Sequence, residues 1–290
     1  MCEPCSFWNN PDGIDLACYE WKLKLDDPKF VFYICHGYAD RLNAYSKLIE
    51  MILDSGGVIY SHDHFAHGKS GPYPKDHPKR CQLDLYHTAR DLNLRVEEIK
   101  KKHPNIPLVM LGHSLGGLIS ALMVKDNPEN IDGLIFEAPS FKLHEASVKW
   151  YHILGAKILN RIAPEFKLGG GDVNLVSRNK DVCNEFDRLE PEYGDNGGMM
   201  ARTAYHMLEV QKKLMTELNQ IQVNTLFCHG TDDRICSIEG SRHGHNQMTN
   251  SKLKTYDGAY HCLHDELPET TDAFLSDVKK FIHTILQPEI

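Results

Sequence analysis

The sequence predicts an α/β protein with a mainly parallel sheet, helices on both faces of the sheet and a helical insertion late in the chain. Two short apolar runs, at 30–35 and 108–111, have the length of strands and no polar side, as expected for strands buried on both faces. Helical patterns alternate with such runs along most of the chain, which favours parallel strands joined by helices. Between 139 and 224 this alternation stops and helical spacing dominates, which predicts an insertion.

The first elements are predicted from their hydrophobic period. Apolar and polar residues alternate through 17–25, which is the pattern of a half-buried strand. Residues 26–29 have turn chemistry, so we expect this strand to form a hairpin with the buried strand at 30–35. A helical pattern at 48–53 and a further strand at 57–62 follow.

The later core elements are predicted in the same way. Apolar residues recur at spacings of three and four through 85–99, which indicates a long amphipathic helix. The strand at 108–111 leads into a helix with one apolar side at 115–123. The remaining predicted core elements are strands at 133–136, 225–228 and 253–256 and a closing helix at 274–285.

The break in the alternation divides the chain into two predicted parts. Residues 148–162 carry apolar side chains at helical spacing, and a second helical pattern covers 204–214. We therefore predict a core domain of residues 1–139 and 206–290, with a mostly helical cap at 140–205 inserted into it.

Composition and charge exclude several classes of protein. The chain has 290 residues, of which 41% are hydrophobic and 25% charged, and a mean hydropathy of −0.41. These values exclude a disordered chain and a coiled coil. No apolar run approaches the roughly 18 residues of a membrane span. The net charge of −8 disfavours a phosphate-binding surface, so no nucleic-acid partner is predicted.

The nine cysteines and the N-terminus together predict a cytoplasmic location. The cysteine count is odd and the chain is large, so a disulfide framework is not expected. The first residues lack a basic segment followed by an apolar one, so we expect no signal peptide. Cys2 and Cys5 form an isolated Cys-x-x-Cys pair without a second pair, so no metal site is predicted.

A serine in a glycine-rich turn is the strongest chemical signal in the chain. Residues 112–116 have the sequence Gly-His-Ser-Leu-Gly and lie directly between a buried strand and an amphipathic helix. A nucleophile elbow requires this placement, because its serine sits on a strained strand-to-helix turn. The two glycines remove side chains that would collide at such a bend. Ser114 is therefore the predicted nucleophile.

A serine nucleophile needs a base and an acid, which the elbow arrangement places later in the order Ser, acid, His. Two aspartates follow the strand at 225–228, and we favour Asp233 over Asp232 as the acid. The next strand leads to His261, the favoured base. His264 is the alternative base, one helical turn later.

Two backbone N–H groups are needed to stabilise the tetrahedral intermediate of ester cleavage. One is expected from Leu115, the residue after the nucleophile. The other is expected from Tyr38, in the loop after the strand at 30–35, where Gly37 lets the backbone turn inward.

Several motifs run from residue 36 to residue 268. They are His-Gly at 36–37 followed by Asp40, His-Asp-His at 62–64 continuing to His-Gly-x-Ser at 67–70, Gly-His-Ser-Leu-Gly-Gly at 112–117, Ser-Arg-Asn-Lys at 177–180, Asp-Arg-Ile-Cys at 233–236 and Gly-Ala-Tyr-His-x-Leu-His-x-Glu-Leu-Pro at 258–268. Together they resemble the serine-hydrolase branch of the α/β-hydrolase family, and more narrowly its monoacylglycerol lipases. The last motif is the most specific, because simple esterases share the elbow but not that stretch.

This resemblance implies an α/β-hydrolase fold and a triad of Ser114, Asp233 and His261, with no cofactor and no metal. It also implies a cap over an acyl tunnel, and transient contact with a membrane surface through the cap helix at 148–162. Enzymes of this family are sensitive to thiol reagents, and Cys236 matches one candidate reactive thiol.

The expected reaction is hydrolysis of a monoacylglycerol, or of a similar single-chain lipid ester, through an acyl-enzyme. Candidate substrate contacts are Phe186, His113 and His264. Ala44 stands where the family has an arginine, and Phe186 stands where it has a cap tyrosine. The alternatives are a lysophospholipid, a short-chain ester, an acyl acceptor other than water, and lipid binding without catalysis. The sequence predicts no particular oligomeric state.

Overall fold

The fold is built around one eight-stranded sheet. The computed structural model describes residues 3–23, 27–40, 42–71, 84–145, 148–170, 172–185 and 198–287. The strands are β1 (Ser6–Asn9), β2 (Asp15–Trp21), β3 (Phe30–Cys35), β4 (Gly57–His62), β5 (Leu108–His113), β6 (Gly133–Glu137), β7 (Lys167–Gly170), β8 (Gly198–Met200), β9 (Thr225–Gly230) and β10 (Ser251–Tyr256). The large sheet has the order β1-β2-β4-β3-β5-β6-β9-β10, and β7 and β8 form a separate two-stranded sheet.

The strands in the middle of the large sheet are parallel and buried on both faces. From β4 to β10 each neighbouring pair is parallel. Every residue of β3, β4, β5, β6 and β9 is buried, which explains why their sequences have no polar side. Because the strands are parallel, their carboxyl ends lie at one edge of the sheet, where ligands bind in open α/β sheets.

Helices cover both faces of this sheet. The longer helices of the described residues are α1 (Ser46–Asp54), α2 (Leu85–Lys102), α3 (Leu115–Asp126), α4 (Trp150–Ile162), α5 (Ala201–Leu214), α6 (Ile238–Gln247) and α7 (Pro268–Leu286), of which α4 packs against α5. The apolar residues of α2, α3 and α5 pack with one face of the sheet, and those of α1 and α7 with the other. The predicted α/β-hydrolase fold is therefore confirmed.

One predicted strand pairing is wrong. β2 pairs antiparallel with β1 on one side and with β4 on the other, so it does not form a hairpin with β3. β4 lies between them and pairs parallel with β3 through the α1 crossover. The alternation of polar and apolar residues reports which strand face is buried, but it carries no information about which strand lies alongside.

In its described residues, the insertion after β6 contains the helices that its spacing predicts. It contains α4, the β7–β8 sheet, a helical stretch at 180–185 and the start of α5. The predicted limit between residues 205 and 206 falls inside α5, a continuous helix that packs against α4 and also buries Met207 and Val210 in the core. The division into a core of 1–139 and 206–290 and a cap of 140–205 stays a prediction, and α5 belongs to both parts.

Candidate active site

Ser114 occupies the turn between β5 and α3 in a strained conformation, with φ of 51° and ψ of −116°. A positive φ is uncommon for a residue with a side chain, and in a nucleophile elbow it exposes the serine hydroxyl. Gly116 makes the turn possible, because a Cβ there would lie 2.0 Å from the carbonyl oxygen of Cys35. A Cβ on Gly112 would lie 2.5 Å from Ser120 Oγ. The glycine spacing seen in the sequence is therefore a packing requirement.

Asp233 and His261 are in direct contact at the same edge of the sheet. Asp233 follows β9 and His261 follows β10, and the parallel pairing of these strands brings the two loops together. His261 Nδ1 lies 2.7 Å from Asp233 Oδ2, and both side chains are buried. Asp232 is exposed, which favours Asp233 over Asp232 as the acid.

The environment of Asp233 keeps its carboxyl group ionised. Asp233 Oδ1 accepts hydrogen bonds from the backbone N–H groups of Ile235 and Cys236, at 2.8 and 3.0 Å. Burial acts to raise the pKa of Asp233, but the charge of His261 and a hydrogen bond from His229 hold this pKa well below its ordinary value. A carboxylate at Asp233 requires His261 Nδ1 to carry hydrogen, which leaves Nε2 as the basic nitrogen.

The residue before the predicted nucleophile contacts the predicted base. The ring of His113, which precedes Ser114, has its centre 4.9 Å from that of the His261 ring. Within the part of the chain that the structure describes, no hydrogen bond joins Ser114 to His261. Catalytic hydrogen bonds are often long before substrate binds and shorten in the complex, so this placement is compatible with proton transfer.

The loop after β3 approaches the same serine. A Cβ on Gly37 would lie 3.3 Å from Ser114 Cβ, and Ala39 has a φ of 56°, which turns the loop sharply. Leu115 is the first residue of α3, so its N–H has no acceptor within the helix. This placement favours the N–H groups of Tyr38 and Leu115 as the oxyanion donors, an assignment that stays a prediction.

Asp40 ties that loop to the nucleophile elbow. Its Oδ2 accepts hydrogen bonds from Gly37 N at 3.1 Å, Tyr45 Oη at 2.5 Å and His113 Nδ1 at 3.2 Å. Burial opposes ionisation of Asp40, but the hydrogen bond from His113 holds the pKa of Asp40 well below its ordinary value. Burial also lowers the pKa of His113, so a carboxylate here accepts from a neutral imidazole.

A second buried pair lies behind the first. His264 Nδ1 is 2.7 Å from Glu137 Oε1, and the His264 ring stacks on Tyr45 with 4.0 Å between ring centres. Burial acts to lower the pKa of His264, but Glu137 raises this pKa to about 9. Burial acts to raise the pKa of Glu137, and the charge of His264 lowers it overall. The pair is therefore ionised at neutral pH.

These contacts argue against two predicted substrate contacts. His113 and His264 are 3% and 1% exposed, and their Nδ1 atoms are bound to Asp40 and Glu137. This burial disfavours contact with a substrate headgroup, and both assignments stay predictions. The His264 ring pairs with Glu137 and not with Asp233, which favours His261 over His264 as the base.

Phe186 and Ala44 are the other two residues that the sequence analysis relates to the substrate headgroup. Phe186, the third predicted substrate contact, lies outside the described residues. Ala44 packs against the apolar cluster on the α1 and α7 face of the sheet. The position where the family has an arginine therefore supplies no charge to the site.

One cluster has the side chains of a metal site. His113, Glu137 and His264 place ligand atoms within 4.8 Å of one another, and no other such group exists among the described residues. However, His264 Nδ1 already donates to Glu137, and a protonated imidazole repels a cation. These three side chains fit an ion pair beside a neutral histidine better than they fit a metal ion.

Cys236 lacks the properties of a reactive thiol. It is 1% exposed, and burial, with a smaller effect of the Asp233 charge, raises the pKa of Cys236 well above its ordinary value. A thiol that stays neutral is a poor nucleophile, so burial argues against the predicted reactivity of Cys236, which stays a prediction. Its backbone N–H has a clear role instead, as a donor to Asp233 Oδ1.

The sequence analysis missed the residues that hold the His261 loop. Glu266 is fully buried and accepts hydrogen bonds from Tyr260 N and from Arg178 Nε, both at 3.1 Å. Cys262 N also donates to Val176 O at 2.9 Å. The insertion therefore braces the loop that carries His261. Arg178 and Glu266 are 88 residues apart, so no local pattern in the sequence could have paired them.

This architecture is that of an α/β-hydrolase with a serine at its elbow. It has the sheet order of that fold, a strand–turn–helix at Ser114, and an acidic and a basic side chain after β9 and β10. Residues 26–268 match the family model described as serine aminopeptidase, S33. The chain belongs to this family.

Comparison with known proteins gives more specific relatives. The monoglyceride lipase of Rattus norvegicus is 29% identical over 275 residues, covering 94% of this chain and 88% of that protein. The monoglyceride lipase homolog of Monkeypox virus is 29% identical over 283 residues, covering 97% of this chain and 98% of that protein. A soluble variant of the Saccharomyces cerevisiae monoglyceride lipase, solved with a substrate analog, aligns with a TM-score of 0.85 at 22% identity, covering 98% of this chain and 96% of that one. This last likeness concerns the fold.

Proposed function

We propose that this chain is a serine hydrolase that cleaves a monoacylglycerol into a fatty acid and glycerol. The observation that carries the proposal is the buried contact of Asp233 with His261, next to a serine on a strained elbow. The names of the relatives, which are monoglyceride lipases, support this class of substrate.

The first half of the proposed reaction forms an acyl-enzyme. His261 Nε2 takes the proton of the Ser114 hydroxyl while Oγ attacks the ester carbonyl carbon. The carbonyl oxygen becomes an oxyanion that accepts hydrogen bonds from the N–H groups of Tyr38 and Leu115. The ester C–O bond then breaks, and the glycerol oxygen leaves with the proton held by His261.

The second half repeats this chemistry with water as the nucleophile. His261 Nε2 removes a proton from water, and the resulting hydroxide attacks the acyl carbon on Ser114. The fatty acid leaves and Oγ recovers its proton from His261. Asp233 remains a carboxylate throughout and stabilises the transient imidazolium through its 2.7 Å contact with Nδ1.

The test is fatty-acid release from oleoylglycerol by the purified protein, compared with Ser114→Ala. We expect the variant to lose at least about a thousandfold in kcat, because removing the nucleophile disables the whole triad. Asp232→Asn serves as a matched control, since Asp232 is exposed and adjacent to Asp233. Equal rates for the wild-type protein and Ser114→Ala would refute the proposal.

A different headgroup is the second candidate. Ala44 contributes no charge near the site where the family has an arginine, which favours substrates that do not depend on that contact. Oleoylglycerol, lysophosphatidylcholine and p-nitrophenyl butyrate would be compared by kcat/KM, with and without added glycerol as an acyl acceptor. A preference for lysophosphatidylcholine over oleoylglycerol would favour the second candidate.

A membrane surface is the proposed partner of α4. Its outward side chains are large and apolar, with Leu154 50%, Ile158 51% and Ile162 73% exposed. Lys157 and Arg161 lie among them, and basic groups beside an apolar stripe suit a lipid interface. None of the helices in the described residues is long and apolar enough to cross a bilayer, so the proposed contact is peripheral.

The proposed location is the cytoplasm. Its support is the number of free thiols, since no cysteine of the described residues is in a disulfide. Thiols persist in a reducing compartment and tend to pair in an oxidising one.

A further inference from the structure

Two histidines share one oxygen of the proposed catalytic acid. Asp233 Oδ2 is 2.7 Å from His261 Nδ1 and 3.1 Å from His229 Nε2. His229 lies near the end of β9 and is completely buried. The proposed mechanism gives a role to His261 and none to His229.

The surroundings of His229 determine which nitrogen carries hydrogen. His229 Nε2 faces two acceptors, Asp233 Oδ2 and the carbonyl oxygen of Cys236, both at 3.1 Å. Because neither acceptor carries hydrogen, Nε2 must be the donor. His229 Nδ1 is 2.8 Å from Ser241 Oγ on α6, and this second contact holds the ring in place.

We propose that His229 is a positioning residue for the catalytic acid, which restrains Asp233 Oδ2 and sets how strongly it supports His261. This inference rests on the proposed function. The backbone donors Ile235 N and Cys236 N hold only the other oxygen, Oδ1. Without His229, the donor that remains to Asp233 Oδ2 among the described residues is His261 Nδ1.

The physical consequence is a change in how strongly Asp233 supports His261. Two donors spread the negative charge of Oδ2, so each hydrogen bond is weaker than it would be alone. Removing His229 concentrates that charge on His261 Nδ1–H, which stabilises the transient imidazolium. The carboxylate also becomes free to rotate about its side-chain bonds, which lowers the fraction of enzyme in the reactive geometry.

The structure places several other titratable groups near this pair. His113, on the elbow, contacts the His261 ring, and the buried thiols of Cys236 and Cys262 lie near Asp233. Glu137 and His264 lie behind His113, and Asp40 accepts a hydrogen bond from it. The substitutions below leave these six groups unchanged, so a shift in the pH profile can be assigned to His229.

The experiment compares His229→Gln with His229→Leu in the full chain. Glutamine places an N–H donor at the same number of bonds from the backbone as His229 Nε2, whereas leucine has a similar size and no donor. For each protein we would measure kcat and KM on oleoylglycerol from pH 5 to 9. The rate at which a fluorophosphonate labels Ser114 would be measured over the same pH range. Far-UV circular dichroism and urea unfolding determine the folded fraction.

We expect His229→Leu to lose about tenfold in kcat, the usual loss for one hydrogen bond to a charged group, with KM within about twofold of wild type. The acidic limb of its pH profile should move up by about half a pH unit, and His229→Gln should restore most of both. His62→Leu is the matched control, a buried histidine far along the sheet that pairs with Tyr33. We expect His62→Leu to be less stable than the wild-type protein. The molecules of this variant that remain folded should keep the wild-type dependence of kcat on pH.

The outcomes separate the two levels of inference. If the wild-type protein is neither labelled nor active, the proposed function fails. If it is active but folded His229→Leu keeps the wild-type kcat and acidic limb, or if glutamine is no better than leucine, the role of His229 is refuted and the triad stands.

Discussion

His264 and Glu137 form an ion pair inside the protein, with His264 Nδ1 2.7 Å from Glu137 Oε1 and both side chains almost completely buried. The backbone N–H of His264 donates to the same oxygen at 2.9 Å. Glu137 ends β6 and His264 follows the proposed base His261, so the pair connects the centre of the sheet to the loop that carries His261.

Removing Glu137 should destabilise the protein. Leucine at position 137 leaves the buried His264 without its counter-charge, and breaking a buried pair in this way typically costs about 3–5 kcal/mol. Chemical unfolding in urea at pH 7 measures the loss. The double variant Glu137→Leu/His264→Leu should recover part of it, because no uncompensated charge remains. A double variant less stable than Glu137→Leu would contradict this account.

The same pair should weaken at alkaline pH. The pKa of His264 is about 9 in the folded protein, raised by Glu137 against the effect of burial, and near 6.5 when unfolded. The stabilisation is therefore complete below about pH 6.5 and is lost as the pH rises through about 9, for a total on the order of 3 kcal/mol. The urea concentration at the unfolding midpoint should fall as the pH rises from 6 to 10. This fall should be less steep in Glu137→Leu than in the wild-type protein.

His62 should make the protein sensitive to acid. Burial lowers its pKa to about 3, so between pH 6.5 and 3 the unfolded chain binds a proton that the folded chain does not. Stability is thus lost as the pH falls below about 6.5, by about 1.4 kcal/mol per pH unit. His62→Asn keeps an acceptor for the Tyr33 hydroxyl and cannot titrate. If its unfolding midpoint fell as steeply as that of wild type between pH 6 and 4, this assignment would be wrong.

Asp40 should affect the rate of catalysis more than substrate binding. Asp40→Ala releases Gly37 N and His113 together, and misplacing the adjacent Tyr38 N–H should lower kcat by about tenfold to a hundredfold. KM should change little, since Asp40 is buried. Tyr45→Phe is the control, because it removes one donor to Asp40 and leaves the other two. Steady-state kinetics on oleoylglycerol would count against the role of Asp40 if both variants lost activity equally.

The apolar side of α4 should bind lipid vesicles. Replacing both Leu154 and Ile158 by serine removes two large exposed side chains, each worth roughly 1.5–3 kcal/mol when buried. Co-sedimentation with phosphatidylcholine vesicles should therefore drop by more than about tenfold. Lys157→Ser, on the same helix, should bind these uncharged vesicles as the wild type does. Retained binding in the double variant would rule out α4 as the contact.

Local patterns in the sequence predicted the parts of this protein that depend on local physics. The buried strands follow from apolar runs, and the elbow follows from glycines that a bend at Ser114 requires. The pairing of β2 failed, because the period of a strand does not specify its neighbour. The sequence also did not reveal that His113 and His264 lie beside buried carboxylates, because a histidine next to a motif looks the same whether it faces the substrate or a buried carboxylate.

The sequence alone determined the succession of strands and helices, the serine at a strained turn and the order in which Asp233 and His261 follow it. These depend on side chains within a few residues of each other, or on chain order. Only the tertiary structure decided that Asp40 meets His113, that Glu137 meets His264 and that two histidines share Asp233. Apart from His229 and Asp233, which are four residues apart, these partners come from separate strands and loops. Burial away from water is what makes each carboxylate require its partner.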